Sequence, residues 1–314
     1  MTNPPETWTD EDVRAALDPD TAIASQRTAF RALSDGRARM AEKVALGVGA
    51  NTALGYLSTL SPDHGAVSKL VAVHPGNGSL GLPAISATVL VLDAATGRLR
   101  ATLAGTALTE LRTAAGSAVA VDALAPRGAD ELAVLGSGVQ ARAHVRAFAR
   151  VRELRAVRLY SRNRGRREAA ARELDAELDV DVRPADSPED AVRGAALVAT
   201  CTLSTDPVLG PVDPGTTVIS VGGFEPHRRE VAPALVRQAA PVVVDDVETA
   251  AGHAGPIIAA LEQGAVSVEE LHSLGDVLTG RRAGRTDEEQ VIFYNSVGVA
   301  VQDAAAAHAV LGTL

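Results

Sequence analysis

The spacing of apolar and polar positions changes character part-way along this chain. Residues 10–40 carry helical spacing: Asp10 is placed to cap a helix through Leu17, and a second helical pattern runs over 21–33. Residues 67–73 and 85–92 are runs of β-branched and aliphatic side chains, separated by the turn chemistry of His74-Pro75-Gly76-Asn77-Gly78. Asp93-Ala94-Ala95-Thr96-Gly97 marks another turn and 98–104 a third strand, so an antiparallel hairpin unit is expected. A long helix is predicted from Thr109 to Leu124, ended by Pro126-Arg127-Gly128. Beyond it, short apolar strands alternate with helices. Strands are predicted at 131–135, 156–160, 180–183, 197–200, 217–221 and 241–245, with helices over 139–151 and 166–178. Such alternation predicts a mostly parallel sheet covered on both faces. Residues 287–310 read as a closing helical stretch.

Composition narrows the class. The chain has 314 residues, 46% hydrophobic and 22% charged, which suits a globular protein of about two domains. Aromatics are only 3%, so the core must be built from Ala, Val and Leu. A formal net charge of −9 argues against nucleic acid or an anionic membrane as the main partner. Met1-Thr2-Asn3-Pro4-Pro5-Glu6 lacks the pattern of a secretion signal, and no apolar run is long enough to span a membrane. The one cysteine, Cys201, cannot form a disulfide within the chain, and a cytoplasmic protein is expected. Cys201 reads as a packing residue. The histidines, His74, His227 and His253 among them, show no metal-ligand spacing, so no metal is expected.

The most informative motif is Gly136-Ser137-Gly138-Val139-Gln140-Ala141. It follows the apolar strand Leu132-Ala133-Val134-Leu135 directly and opens a helix, the context that makes Gly-x-Gly-x-x-Ala a dinucleotide fingerprint. Gly136 permits the tight turn, Gly138 lets the backbone approach a pyrophosphate, and Ala141 lets helix and sheet pack closely. The helix N-terminus then offers unpaired N–H groups to the phosphates. After the second strand the chain reads Ser161-Arg162-Asn163-Arg164, with no carboxylate to hold a ribose 2′-hydroxyl. Arg162 and Arg164 suit a 2′-phosphate instead, so NADP is preferred over NAD.

Several further segments, in order from about residue 36 to 308, resemble the ornithine cyclodeaminase/mu-crystallin family. They are Ser68-Lys69-Leu70 with His74-Pro75-Gly76-Asn77, Leu108-Thr109-Glu110-Leu111-Arg112-Thr113-Ala114-Ala115, the nucleotide loop with its Gln140, Val221-Gly222-Gly223-Phe224 with Arg229-Glu230, and Phe293 to Asp303 with Ser296, Gly298 and Gln302. The resemblance implies an α/β architecture in which a Rossmann domain, 123–291, is inserted into an α+β substrate and dimerisation domain, 1–122 plus 292–314. It implies a homodimer acting on a small imino or amino acid. Lys69 and Arg112 look like the family's substrate-carboxylate and catalytic residues, with Thr113 beside the cofactor phosphates. Fixed cations suit that task, since Arg grips a carboxylate bidentately. Lys43 stands where the family has a substrate-binding arginine, with Arg39 as the alternative. Leu57, Phe224, Val297 and Gly298 are expected around the substrate, and Tyr56 near them. Val139, Gln140, Thr200, Cys201, Thr202, Val221, Gly222 and Ser296 join Gly136, Gly138 and Ser161–Arg164 around the cofactor.

One departure from the family pattern bears on function. The family's cyclodeaminases carry an Asp directly after the Gly-Gly of the post-strand loop, where it serves a side-chain amine. Here that position is Phe224, which cannot bond an ammonium or move a proton. Glu225 beside it would point elsewhere on an extended chain. The expected activity is therefore NADPH-dependent reduction of the C=N bond of an α-imino acid or cyclic ketimine, or the reverse amino acid dehydrogenase reaction. A cyclodeaminase with retained NAD and a non-catalytic NADPH-binding protein are the rival readings.

Overall fold

The computed structural model describes residues 4–83 and 85–314; Met1–Asn3, the start of the N-terminal stretch considered above, and Ala84 lie outside the described residues. Two compact units emerge, Met1–Arg112 with Val299–Leu314, and Thr113–Gly298.

The first unit is a sheet with helices on one face. Its elements are β1 (Glu6–Trp8), α1 (Asp10–Ala16), α2 (Pro19–Ser34), β2 (Arg39–Met40), β3 (Val44–Val48), β4 (Asn51–Thr59), β5 (Val67–Val73), β6 (Ile85–Leu92), β7 (Leu99–Ala104), the start of α3 (Gly105–Leu124), and the closing helix α11 (Ala300–Val310). The strand order is β1-β7-β6-β5-β4-β2, with β3 also on β4, and every pair but β1–β7 is antiparallel. Local chemistry accounts for the helix starts. Thr9 and Asp12 form a capping box on α1, and Asp18 accepts from the backbone N–H of Asp20 and Thr21 just ahead of Pro19 in α2. The hairpin of β5 to β7 follows the sequence pattern. Strands β2, β3 and β4 do not, and the reason is visible. All five β3 residues are exposed and β4 is half-buried over most of its length, so neither shows the alternation of a one-sided strand. The turn between them is Gly49-Ala50, with Gly49 at φ 62°, a two-residue hairpin signal embedded in a glycine-rich stretch.

The second unit continues α3 and adds β8 (Glu131–Leu135), α4 (Val139–Phe148), β9 (Ala156–Tyr160), α5 (Arg164–Glu177), β10 (Asp181–Pro184), α6 (Pro188–Val192), β11 (Leu197–Thr200), β12 (Thr217–Ser220), α7 (Pro233–Gln238), β13 (Val242–Val244), α8 (Val247–His253), α9 (Gly255–Glu262), β14 (Leu271–Ser273), α10 (Leu274–Leu278) and β15 (Ile292–Asn295). The sheet is parallel throughout, ordered β10-β9-β8-β11-β12-β15-β13-β14. Chain direction across the sheet reverses between β8 and β11, the switch point outside which such folds bind ligands.

Two expectations change. Residues 287–310 are not one helical stretch: 292–295 form β15, and the helix starts only at Ala300. Ile292-Phe293-Tyr294-Asn295 is buried on both faces, and a short, wholly buried strand has no periodicity to separate it from a buried helix. The expected domain boundaries at 122/123 and 291/292 fall instead at 112/113 and 298/299. β15 pairs with β12 and β13 inside the parallel sheet, so it belongs to the second unit.

Candidate functional site

In the first unit, sheet and closing helix bring two buried cations onto one carboxylate. Lys69 sits in mid-β5, in register with Tyr56 and Val89, on the pleat face that α11 covers. Its Nζ donates to Asp303 Oδ1 at 2.8 Å and lies 2.7 Å from Oδ2. Arg112 of α3 donates from Nε to Asp303 Oδ1 at 3.0 Å and from Nη1 to Gln302 Oε1 at 3.1 Å. Gln302 is held in turn, because its Oε1 also accepts from Val299 N at 3.0 Å, just ahead of α11. The Tyr56 ring lies under the ammonium, 4.7 Å from Nζ to the ring centroid. Lys69, Asp303 and Arg112 are only 2%, 1% and 6% exposed. Lys69 is lowered from 10.5 to about 8: burial pulls it down, the Asp303 carboxylate pushes it back up, and Arg112 lowers it further. Two cations share one carboxylate here, so the three groups carry a surplus positive charge out of water. A buried surplus charge is costly until an anion balances it. A small anion such as a carboxylate would balance it.

In the second unit, the loop after β8 has the form a dinucleotide needs. Gly136 has φ 137°, and a Cβ there would lie 2.5 Å from the Cys201 carbonyl oxygen, so only glycine fits. Gly138 is the N-cap of α4, makes no side-chain cap, and a Cβ there would meet open space. That opening, with the uncapped N-terminus of a ten-residue helix behind it, fits a pyrophosphate. Val139 is exposed, Gln140 half-buried, and Ala141 buried against the sheet. The Ser137 and Ser161 hydroxyls share a hydrogen bond at 2.8 Å, joining this loop to the end of β9. Asn163 caps α5 through Arg166 N at 2.9 Å. Arg162 is exposed, and Arg164 is exposed and paired with Glu168 at 2.7 Å.

Thr200 ends β11 and Cys201 and Thr202 follow it, and Val221 and Gly222 follow β12, at the same C-terminal edge of the sheet. The Cys201 thiol is pushed well above its ordinary value, by burial first and by the Glu230 carboxylate second, which suits packing and not nucleophilic attack. Ser296 and Gly298 are held by Asp245: its Oδ2 accepts from Gly298 N at 2.6 Å and from Ser296 Oγ at 3.4 Å, and Tyr294 Oη donates to Oδ1. Val297 between them is buried. Thr113 is the first residue of the second unit, half-buried on α3.

Not every expected residue joins a site. Leu57 sits in register with Ser68, so it occupies the sheet face opposite Lys69 and is 49% exposed. Lys43 is half-buried in the link between β2 and β3, and Arg39 is exposed on β2. Phe224 lies under the Arg228 guanidinium, 5.1 Å to the ring centroid, and Arg228 is ion-paired with Glu225. The post-strand loop thus presents a capped phenyl ring, and its adjacent carboxylate is engaged. Sequence reasoning did not assign Asp303 and Gln302 a role. The signal that could have found them is the acid within the C-terminal motif, since two buried cations require a buried anion. Among the described residues, no group of three or more His, Cys, Asp or Glu is placed to hold a metal ion, and no helix is long and apolar enough to cross a membrane.

The model of one protein family, described as ornithine cyclodeaminase/mu-crystallin family, matches residues 6–313. This chain belongs to that family. Among its relatives, the alanine dehydrogenase of Archaeoglobus fulgidus is 33% identical over 96% of this chain and 92% of its own length. The ketimine reductase mu-crystallin of Mus musculus is 35% identical over 81% of this chain and 78% of its own. Among solved structures, Thermococcus litoralis Δ1-pyrroline-2-carboxylate reductase, in complex with NADH and L-proline, superposes with a TM-score of 0.93 at 27% identity, covering 98% of this chain and 97% of that one. This chain shares the α/β fold of these relatives, with the doubly wound parallel sheet of a Rossmann-like unit at its centre.

Proposed function

We propose that this family member is an NADPH-dependent reductase of the C=N bond in an α-imino acid or cyclic ketimine bearing a carboxylate. The observation that carries the reading is the buried Lys69–Asp303–Arg112 cluster with its surplus positive charge. Arg112 and Lys69 would grip the substrate carboxylate and hold the reacting carbon in one orientation, which supplies much of the rate in such a reaction. The nicotinamide cofactor supplies hydride to the imine carbon; the imine nitrogen needs one proton. Lys69, lowered to about 8, is protonated at neutral pH yet close enough to it to give the proton up, and Asp303 keeps it pointed and charged. One hydride and one proton convert C=N to CH–NH. The same groups serve the reverse dehydrogenase reaction, the direction in which the A. fulgidus relative is named.

The cofactor preference follows from the end of β9. Ser161–Arg164 offers no carboxylate to a 2′-hydroxyl, and Asn163 is occupied as a helix cap. Arg162 is exposed there, and the exposed Arg164–Glu168 pair is of a kind that contributes little and exchanges readily, so both guanidinium groups suit a 2′-phosphate. A distal amine on the substrate finds no acid in the post-strand loop: Phe224 is apolar and Glu225 pairs with Arg228. That weighs against the cyclodeaminase reading.

A homodimer is proposed from the sheet of the first unit. Register and alternation place Val44, Leu46, Val48, Leu57, Leu70 and Leu90 on the face opposite Lys69, and all six are exposed. A contiguous apolar stripe of this kind marks an association surface, and its self-pairing closes a two-fold dimer.

The test is NADPH oxidation at 340 nm across cyclic five- and six-membered ketimine carboxylates and pyruvate with ammonia or methylamine, with NADH in parallel. Turnover with NADPH on one member, lost in Lys69→Ala, is expected. Unchanged turnover in Lys69→Ala would overturn the site assignment.

A further inference from the structure

Glu230 takes no part in the chemistry above, yet it is completely buried and more heavily bonded than an ordinary core residue. Its Oε2 accepts from Thr200 Oγ1 at 2.9 Å, from Ser220 Oγ at 3.1 Å and from Gly222 N at 2.6 Å. Its Oε1 accepts from Thr202 N. Thr200 and Ser220 are register partners, the last residues of β11 and β12. Thr202 and Gly222 are each two residues further on, in the two loops that leave those strands. One carboxylate therefore ties two strand ends and two loops together, with acceptor sites enough for all four donors. Its main chain adds to the join, since Glu230 O accepts from Val208 N at 2.8 Å and Leu209 N at 3.1 Å.

The loops it joins are pressed close. A Cβ on Gly222 would lie 1.8 Å from Thr202 O and 2.7 Å from Glu230 Oε1. The β11 loop is in turn against the nucleotide loop, because the Cys201 carbonyl is what a Cβ on Gly136 would strike. Packing thus runs unbroken from Gly136 through Cys201 and Thr202 to Glu230 and Gly222. In a doubly wound sheet a dinucleotide lies across the switch point, with one mononucleotide over each half. The adenosine half follows β8 and β9, where Ser161 and Arg162 lie. The nicotinamide half then falls over β11 and β12, the strands whose ends Glu230 joins.

We propose that Glu230 is the positioning residue for the nicotinamide end of the cofactor, holding the loops after β11 and β12 in the one arrangement that seats the ring. The proposal rests on the cofactor reading above. Glu230 itself touches neither cofactor nor substrate. It acts through the backbone of Thr202 and Gly222. Replacing it with glutamine keeps size and one oxygen but turns an NH2 group toward an N–H donor, so one loop loses its tether and meets a repulsive contact.

The experiment measures binding of two probes, NADPH and 2′-phospho-ADP-ribose, which lacks the nicotinamide, together with steady-state rates. For Glu230→Gln the expected result is a tenfold or greater rise in NADPH Kd, about 1.4 kcal/mol. 2′-Phospho-ADP-ribose binding should stay within twofold, kcat should fall, and KM for the imine should stay within about twofold. Thr200→Val, which removes one hydroxyl donor and keeps the shape, should move NADPH Kd the same way by about threefold; it serves if Glu230→Gln does not fold. Equal weakening of both probes, or unchanged NADPH affinity and kcat, would show a general brace of the fold and overturn the proposal. Wild-type protein binding neither probe would overturn the cofactor reading itself.

Discussion

Asp303→Asn separates the charge of this residue from its shape. The carboxylate lies 2.7 and 2.8 Å from Lys69 Nζ and 3.0 Å from Arg112 Nε, all of it buried. An opposite charge at such range typically raises the pKa of an amine by about 1–3. Removing it leaves Lys69 facing burial and Arg112 alone, both of which lower it, so a middle value moves Lys69 from about 8 to about 6. At pH 7.5 the protonated fraction then drops from about three quarters to about 3%, and kcat/KM drops about 25-fold. The loss should shrink as pH falls, because at about pH 5.5 the lysine of the variant is again three-quarters protonated. The assay is kcat/KM for the preferred imine from pH 5.5 to 9, expressed as the ratio of variant to wild type, which cancels the titration of the substrate. Wild type should lose activity as pH rises through about 8. The variant should lose it about two pH values earlier. If the descending limb of Asp303→Asn stayed near pH 8, the carboxylate would not be setting the charge of Lys69 and the reasoning would fail.

Three further outcomes are expected. Arg162→Ala should raise KM for NADPH about tenfold and leave NADH within twofold; a wild-type enzyme that prefers NADH would refute the 2′-phosphate reading. His144 is buried between Gln140 O, 2.7 Å from Nδ1, and Ser117 Oγ, 2.9 Å from Nε2, and burial lowers it to about 4. Its ordinary value is 6.5, so the unfolded chain binds the extra proton first. Stability is then full above pH 6.5 and lost as pH falls toward 4, with about 2 kcal/mol gone by pH 5. Urea unfolding at pH 7.5 and 5 should show that loss in wild type and a smaller one in His144→Gln; equal losses would sink the assignment. Leu70→Asp, which charges the centre of the apolar stripe, should shift the protein from dimer to monomer in analytical ultracentrifugation, and an unchanged mass would place the association surface elsewhere.

How far the sequence reached depended on how local each feature is. The form of the glycine loop after β8 was legible because its needs are local: a tight turn at Gly136, an open approach at Gly138, and a helix start at Val139 lie within four consecutive positions. Six of the eight strands of the parallel sheet were legible, and for β8, β11, β12 and β13 the reason is that burial on both faces selects apolar runs. β15 was read as helix because four buried residues hold no period, and only its place between β12 and β13 makes it a strand. Leu57 and Tyr56 show a sharper limit. They are neighbours in sequence, and the pairing of β4 with β5 sends Tyr56 beneath Lys69 and Leu57 to the opposite face. A one-residue difference in register would exchange them, and nothing in a single strand states its register.

By itself the sequence determined the fold class and the strand, glycine loop and helix over 131–148, because these are written in short stretches, and its resemblance to the family singled out two cations, Lys69 and Arg112. Only the tertiary structure decided what those cations face. Asp303 is 234 residues from Lys69 and 191 from Arg112, and Glu230 gathers donors from two loops. Charges buried far from water must be answered by partners at hydrogen-bond distance, and the chain brings such partners together through packing across the fold, not through nearness in sequence.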